Sequence, residues 1–189
     1  MDLLKERIIR DGYFLGENIL KVDSFLNHQL DPKLMQAIGE EFAQRFSDQG
    51  ITKILTVEAS GIAVAILTGL AMDVPVVFAK KKKPSTIVEG TYSAKVYSFT
   101  KKEKVFISVS TSFLQASDTV LVIDDFLAMG EASKGLVSIV EQSGAALAGV
   151  GIVIEKAFQP GGRELRGKGI RVESLARIAS FQDGQPIFE

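Results

Sequence analysis

Asp124 and Asp125 are adjacent carboxylates that follow an apolar run, residues 120–123, and precede a short turn containing Gly130. A continuous apolar run of this length suits a strand buried on both faces of a parallel sheet. The two acids fall where that strand is expected to end. Residues 131–142 have helical periodicity, and Gly144 just beyond them is a C-terminal stop. In open α/β sheets ligands collect at the carboxyl ends of the strands, and a helix N-terminus there turns free backbone N–H groups toward anions such as phosphate. Ala128, Met129, Gly130, Glu131 and Ala132 are therefore a candidate phosphate cradle with two acids beside it. The Gly-Lys-Ser/Thr of a Walker loop is missing. A buried strand whose end is solvated by two aspartates accounts for the same residues without any ligand.

A second strand-to-helix turn offers a second anion cradle: Glu58, Ala59, Ser60 and Gly61 close an apolar run and open an apolar helix. Its structural alternative is a plain turn with Ser60 as helix cap. Four consecutive lysines, residues 80–83, are either a solvated loop or anion ligands. His28 beside Asn27 reads as structural or solvated.

Composition narrows the chemistry further. The chain has 189 residues, enough for one domain with a sizeable core, with 46% hydrophobic and 24% charged residues and a net charge of −1. No global field favours nucleic acid or an anionic membrane. Cysteine is absent and histidine occurs once, which excludes disulfides and thiol catalysis and argues against a His-rich metal site or a Ser-His-Asp triad. Residues 1–11 are charged and lack a signal-peptide core. The most apolar stretch, residues 61–79, is broken by Asp73 and Pro75 and reads as helix, turn and strand rather than a membrane span. A cytoplasmic location is the default.

The elements that must position these groups follow from periodicity. Residues 2–11 form an amphipathic helix closed by Gly12, and residues 16–30 read as irregular. Asp31 and Pro32 cap and start a helix that Gly50 should end. Strands are expected at 52–57, 74–79, 120–123, 147–155 and 170–181, and helices at 61–72 and 131–142. Residues 160–169 hold a turn and a short helix. Residues 84–100 carry Gly90 and several hydroxyls and read as a hairpin or lid, with strand pieces near 92–99 and 104–109. Alternating strands and helices predict an α/β fold, a mostly parallel sheet with helices on both faces, in a single domain.

The apolar run, acid pair, glycine turn and helix resemble the PRPP (5-phosphoribosyl 1-pyrophosphate) loop of the type I phosphoribosyltransferases. Met129 and Ala132 replace the hydroxyl residues that usually flank its glycine, and Ala128 stands where many purine enzymes carry Asp. Within the family the chain is similar to the branch that acts on xanthine, through residues 20–29 (LKVDSFLNHQ) and 154–161 (IEKAFQPG). The likeness spans nearly the whole chain. It implies a core at about residues 31–158 and a small hood from residues 1–30 and 159–189 that holds the base. It also implies purine salvage, in which xanthine and PRPP give xanthosine 5′-monophosphate and pyrophosphate.

The resemblance assigns roles residue by residue. Asp124 and Asp125 would accept hydrogen bonds from the ribose hydroxyls or help organise Mg²⁺ through water. The backbone of residues 128–132 would wrap the 5-phosphate, and residues 58–61 would hold pyrophosphate, with a strained peptide in that loop. Lys80 and Lys81 could reach pyrophosphate, as basic residues in related enzymes do, sometimes across a dimer interface. Leu20, Asn27 and Lys156 would contact xanthine: Lys156 at the 6-oxo group, Asn27 at the 2-oxo and ring N–H edge, Leu20 by backbone bonds and packing. Phe158 would stack on the purine or serve the core. A homodimer with Mg²⁺ as cofactor, and no nucleic-acid or membrane partner, completes the expectation. The rivals are another base (hypoxanthine, guanine or adenine) and a PRPP-sensing transcription regulator of the same fold. Such regulators carry an extra DNA-binding domain, for which the chain has no room.

Overall fold

The computed structural model describes residues 1–15, 19–82, 89–98, 103–182 and 184–189. Its first helix, α1 (Asp2–Asp11), leads into a hairpin of β1 (Tyr13–Leu15) and β2 (Ile19–Lys21), and a π-type turn at Asp23–Asn27 follows. Next come α2 (Pro32–Arg45), β3 (Lys53–Val57), α3 (Gly61–Met72) and β4 (Val76–Lys82). An antiparallel pair, β5 (Thr91–Ser98) and β6 (Glu103–Ser110), precedes β7 (Thr119–Leu127), α4 (Glu131–Ser143) and β8 (Ala146–Lys156). The chain finishes with α5 (Pro160–Gly167), β9 (Val172–Gln182) and β10 (Gln185–Phe188).

Eight strands form one sheet in the order β10-β9-β8-β7-β3-β4-β6-β5, with β9, β8, β7, β3 and β4 mutually parallel. Strand alternation divides the core between its two faces. Leu121 and Ile123 of β7 join Leu4 and Ile8 of α1, Ile38 and Phe42 of α2 and Val64 of α3 on one side. Val120 and Val122 join Leu136 and Val140 of α4 and Leu165 of α5 on the other. Burying each such side chain stabilises the fold by roughly 1.5–3 kcal/mol.

Several boundaries differ from the sequence expectation. The α2 start is as expected: Asp31 accepts from the backbone N–H groups of Lys33 and Leu34. Its end comes at Arg45, before Gly50: Phe46 is the C-cap, and the chain continues in turns, with the Ser47 N–H on the Gln44 carbonyl and the Gln49 N–H on the Phe46 carbonyl. The stretch expected to be irregular carries β2, paired with β1. The strand expected to stop at residue 79 continues through the lysines, because β6 takes over pairing at Lys80–Lys82. β10 escaped the periodicity reading. It is short and pairs with the end of β9.

The most consequential difference concerns the acids. β7 does not end before them; it runs to Leu127, because β8 pairs with it as far as Leu127 opposite Glu155. On its other edge the ladder to β3 stops at Leu55 opposite Val122. Beyond Val122 the β3 side of the strand is open, and Asp124 and Asp125 stand in that opening. The lid expected at residues 84–100 falls partly outside the described residues, its described part being the start of the β5–β6 pair.

Candidate active site

A cavity of about 250 Å³ fills the opening. Glu58, Ser60, Lys81, Asp124, Asp125 and the turn from Ala128 to Ser133 line it. Asp124 is 4% exposed and Asp125 9%, and the Asp125 backbone N–H donates to Oδ1 of Asp124 at 3.0 Å. Burial pushes the Asp124 carboxyl well above the usual carboxylate range, and the neighbouring charge of Asp125 pushes it further; Lys81 acts the other way. The site thus concentrates negative charge in a place that a cation or a set of hydroxyl donors would relieve.

The turn after β7 is shaped by Gly130, which sits at φ +78° as the residue before α4. Gly130, at the N-cap of α4, has no side chain with which to cap it. The first intrahelical bond of this end runs from the Lys134 N–H to the Gly130 carbonyl at 2.8 Å. The N–H groups of Glu131, Ala132 and Ser133 therefore have no helical acceptor and are available to an anion, favoured by the helix dipole. Glu131 is drawn aside by Lys134, 3.0 Å away. Ser133, which sequence reasoning passed over, carries a buried hydroxyl without a hydrogen-bond partner among the described residues.

The second cradle lies across the cavity. Ser60 lines it from the N-cap position of α3, where its side chain makes no capping hydrogen bond. The Glu58–Ala59 peptide is cis. Gly61 is buried: a Cβ there would overlap the Thr56 hydroxyl and lie 3.2 Å from Oδ1 of Asp124. Only a glycine lets the start of α3 come this close to the acid. The Thr56 hydroxyl is itself buried and unpartnered among the described residues, and its β-branched side chain in a strand gave no signal of that. Glu58 accepts from the Lys81 backbone N–H at 2.6 Å, tying the turn to β4.

Strand alternation separates the lysines. Lys81 faces the cavity with the acids. Lys80 faces the other side of the sheet, its ammonium 6.0 Å from the Phe78 ring centre, beside a larger, mostly apolar cavity of about 420 Å³. Lys83 lies outside the described residues.

The proposed base contacts lie apart from this cavity. Leu20 is buried in β2, and Asn27 is exposed at the end of the π-type turn. Lys156 ends β8 opposite Ile178, half-buried, and burial lowers its pKa. Phe158 is 40% exposed and meets Phe181 edge-on at 5.8 Å; Phe181 meets Phe14 likewise at 5.6 Å. The rings join the β1–β2 hairpin, β9 and the segment after β8. Beside Lys156, Glu155 is 1% exposed, bound by the two terminal guanidinium nitrogens of Arg166 at 2.7 Å and by the Ser174 hydroxyl at 2.5 Å, and paired with Nε of Arg177 at 3.2 Å. Burial alone would raise its pKa, but these bonds hold it below the ordinary glutamate value.

Among the described residues no cluster of three or more His, Cys, Asp or Glu is placed to hold a metal on its own. Two carboxylates facing an anion cradle are the arrangement that suits Mg²⁺ carried by a phosphate-bearing substrate, since Mg²⁺ keeps several waters and takes only one or two protein ligands.

No protein-family model matches the chain. The xanthine phosphoribosyltransferase of Oceanobacillus iheyensis is 58% identical over 189 residues, covering 100% of this chain and 97% of that protein. Those of Moorella thermoacetica and Latilactobacillus sakei are each 60% identical, covering 98% and 100% of this chain and 94% and 96% of their own lengths. Among solved structures, the adenine phosphoribosyltransferase of Rhodothermus marinus superposes with a TM-score of 0.74 at 19% identity, over 94% of this chain and all of that one. The enzyme of Trypanosoma brucei, in complex with AMP, pyrophosphate and ribose-5-phosphate, does so with a TM-score of 0.75 at 20% identity, over 96% and 83%. At these identities the structures speak for the fold.

Proposed function

Because the chain belongs to the xanthine phosphoribosyltransferase family, we propose that the cavity between β3 and β7 is where it binds PRPP. The enzyme serves purine salvage, converting xanthine and PRPP to xanthosine 5′-monophosphate and pyrophosphate. The bond from ribose C1 to pyrophosphate breaks and a bond from C1 to a base nitrogen forms. Positive charge builds on the ribose and negative charge on the leaving group, so the protein's task is positioning and electrostatics.

The observation that carries this reading is the open edge of β7: two buried carboxylates with an uncapped helix start on either side. Asp124 and Asp125 accept from the ribose hydroxyls. The N–H groups of Ala128, Met129, Gly130, Glu131 and Ala132 hold the 5-phosphate. Glu58, Ala59, Ser60 and Gly61 hold the pyrophosphate, with Lys81 as the cation facing it. Asp124 and Asp125 are also the groups that would hold Mg²⁺ through water, and bound with PRPP the ion would neutralise charge on the leaving pyrophosphate. Asn27 and Lys156 read the purine from the hood side, with Leu20 packed beside it and Phe158 near its face.

The same reading treats residues 1–189 as one domain, with a core at about 31–158 and a hood from 1–30 and 159–189. The Met1 amino group, donating to the Leu175 carbonyl at 2.8 Å, supports it by tying the first residue to β9. We read the enzyme as a cytoplasmic homodimer without nucleic-acid or membrane partners. Phe78 and Phe113, exposed apolar groups that line the same larger cavity, are those a second copy would cover. The test is pyrophosphate release from PRPP and Mg²⁺ with each purine base in turn. Xanthine should give the highest kcat/KM; turnover with adenine or hypoxanthine alone would overturn the assignment of the base.

A further inference from the structure

Gly161 and Gly130 touch backbone to backbone. The Gly161 N–H donates to the Ala128 carbonyl at 3.0 Å. A Cβ on Gly161 would lie 2.5 Å from that oxygen, 2.6 Å from the Gly130 nitrogen and 2.8 Å from the Met129 carbonyl carbon, all of them backbone atoms. A Cβ on Gly130 would lie 3.0 Å from the Gly161 Cα. The start of α5 is thus seated directly on the turn that follows β7.

We propose that Gly161 is a positioning residue for PRPP: it orients the Ala128–Met129 peptide so that the turn is preformed around the 5-phosphate. The inference rests on the reading that residues 128–132 hold that phosphate. In a trans peptide the C=O and the following N–H point in opposite directions. With the Ala128 carbonyl bound to Gly161, the Met129 N–H is turned away from α5, and Met129 itself lines the cavity. Ala128, Met129, Gly130 and Ala132 supply no side-chain donor, so apart from the Ser133 hydroxyl this turn depends on backbone donors, which are useful only where their direction is fixed in advance.

The brace is itself anchored. Lys134 of α4 reaches Glu164 of α5 at 2.9 Å, and Arg166 of α5 grips Glu155, the neighbour of Lys156. The Gln159 N–H donates to the Lys156 carbonyl at 2.9 Å, closing the short path from the end of β8 to Pro160. One short helix therefore fixes the phosphate turn to the strand that carries the proposed base contact.

The experiment compares Gly161→Ala with Gly130→Ala and the wild type. Gly161→Ala should raise the KM for PRPP at least tenfold, while the KM for xanthine, measured at saturating PRPP, stays within about twofold. Gly130→Ala should also raise the KM for PRPP, since φ +78° strains any side chain there. If Gly130→Ala raises it and Gly161→Ala does not, the brace is wrong and the phosphate reading survives. If neither does, the phosphate reading falls and takes the brace with it. Equal increases for both substrates in Gly161→Ala would mean general loosening and would also overturn the proposal. Should that variant not fold, the wild type suffices: PRPP with Mg²⁺ should slow hydrogen exchange of the Gly161 amide severalfold, and an unchanged rate would reject the coupling.

Discussion

Asp125 donates its backbone N–H to the carboxylate of Asp124 at 3.0 Å, while its own carboxylate repels that group from the same cavity. The bond stabilises the ionised form, but burial and repulsion outweigh it. The folded chain therefore keeps a proton on Asp124 at a pH where the unfolded chain has lost it. Stability falls wherever the folded state binds more protons as pH rises, so this group weakens the fold from the ordinary carboxylate range upward. Asp124→Asn should melt higher than wild type at pH 7 without ligand, with the gap closing toward pH 3–4. A lower melting point at pH 7 would contradict this. Changing both acids, Asp124→Asn with Asp125→Asn, should abolish most turnover in a folded protein; near-normal turnover would reduce the pair to a solvated strand end.

Base choice separates the two proposed readers of the purine. Asn27→Ala should cost xanthine far more than hypoxanthine, which lacks the 2-oxo group, whereas Lys156→Ala should hurt both, since both keep the 6-oxo group. Removing one such contact costs on the order of 1–3 kcal/mol, and a site built to hydrogen-bond a polar group can reject an analogue lacking it by roughly 10⁴. The readout is kcat/KM for each base at saturating PRPP. Equal losses in Asn27→Ala would give Asn27 a purely supporting role, and a silent Lys156→Ala would remove the base contact from β8.

The lysine run makes a prediction from alternation alone. Lys81→Met should lower kcat/KM for PRPP by about 10–100-fold, the scale of one hydrogen bond to a charged group at about 1.5–3 kcal/mol. Lys80→Met, on the opposite face, should change it less than about threefold. A large loss at Lys80 would mean that its ammonium acts in the site of a second copy.

Glu155 has the opposite pH sign to Asp124. Its folded pKa lies below the unfolded value, so its contribution is complete above the glutamate range and is lost as pH falls through the folded pKa. Arg166→Ala leaves a buried carboxylate with Ser174 and Arg177 and should cost about 2 kcal/mol, or on the order of 5 °C in Tm. Glu155→Gln should flatten the acid limb of the stability curve. An acid limb identical to that of wild type would show that another carboxylate controls it.

The elements legible in the sequence were those with local punctuation. Asp31 and Pro32 mark the start of α2, Gly61 and Asp73 bracket α3, and Gly144 closes α4. Where an end is set by a neighbour, local signals misled. β7 passes through its acids because β8 is long enough to pair with them, and β4 runs into the lysines as far as Lys82 because β6 arrives there. Asp124, Asp125 and the turn at Gly130 could be found as one unit because they are contiguous. Thr56, Ser133 and the contact between Gly130 and Gly161 could not, because a missing partner or a close backbone approach exists only once distant segments are packed.

β4 changes partners half-way along its length, with β3 beside Val76–Ala79 and β6 beside Lys80–Lys82. The far half carries the β5–β6 pair, which is also seated on α4: Ala94, Val96 and Ile107 crowd Gly135, and Ser93 is bonded to Gln142. A displacement of that pair would therefore be felt at two places, at Lys81 and through its backbone at Glu58 on one side of the cavity, and at α4 on the other. The two cradles would shift together rather than one at a time.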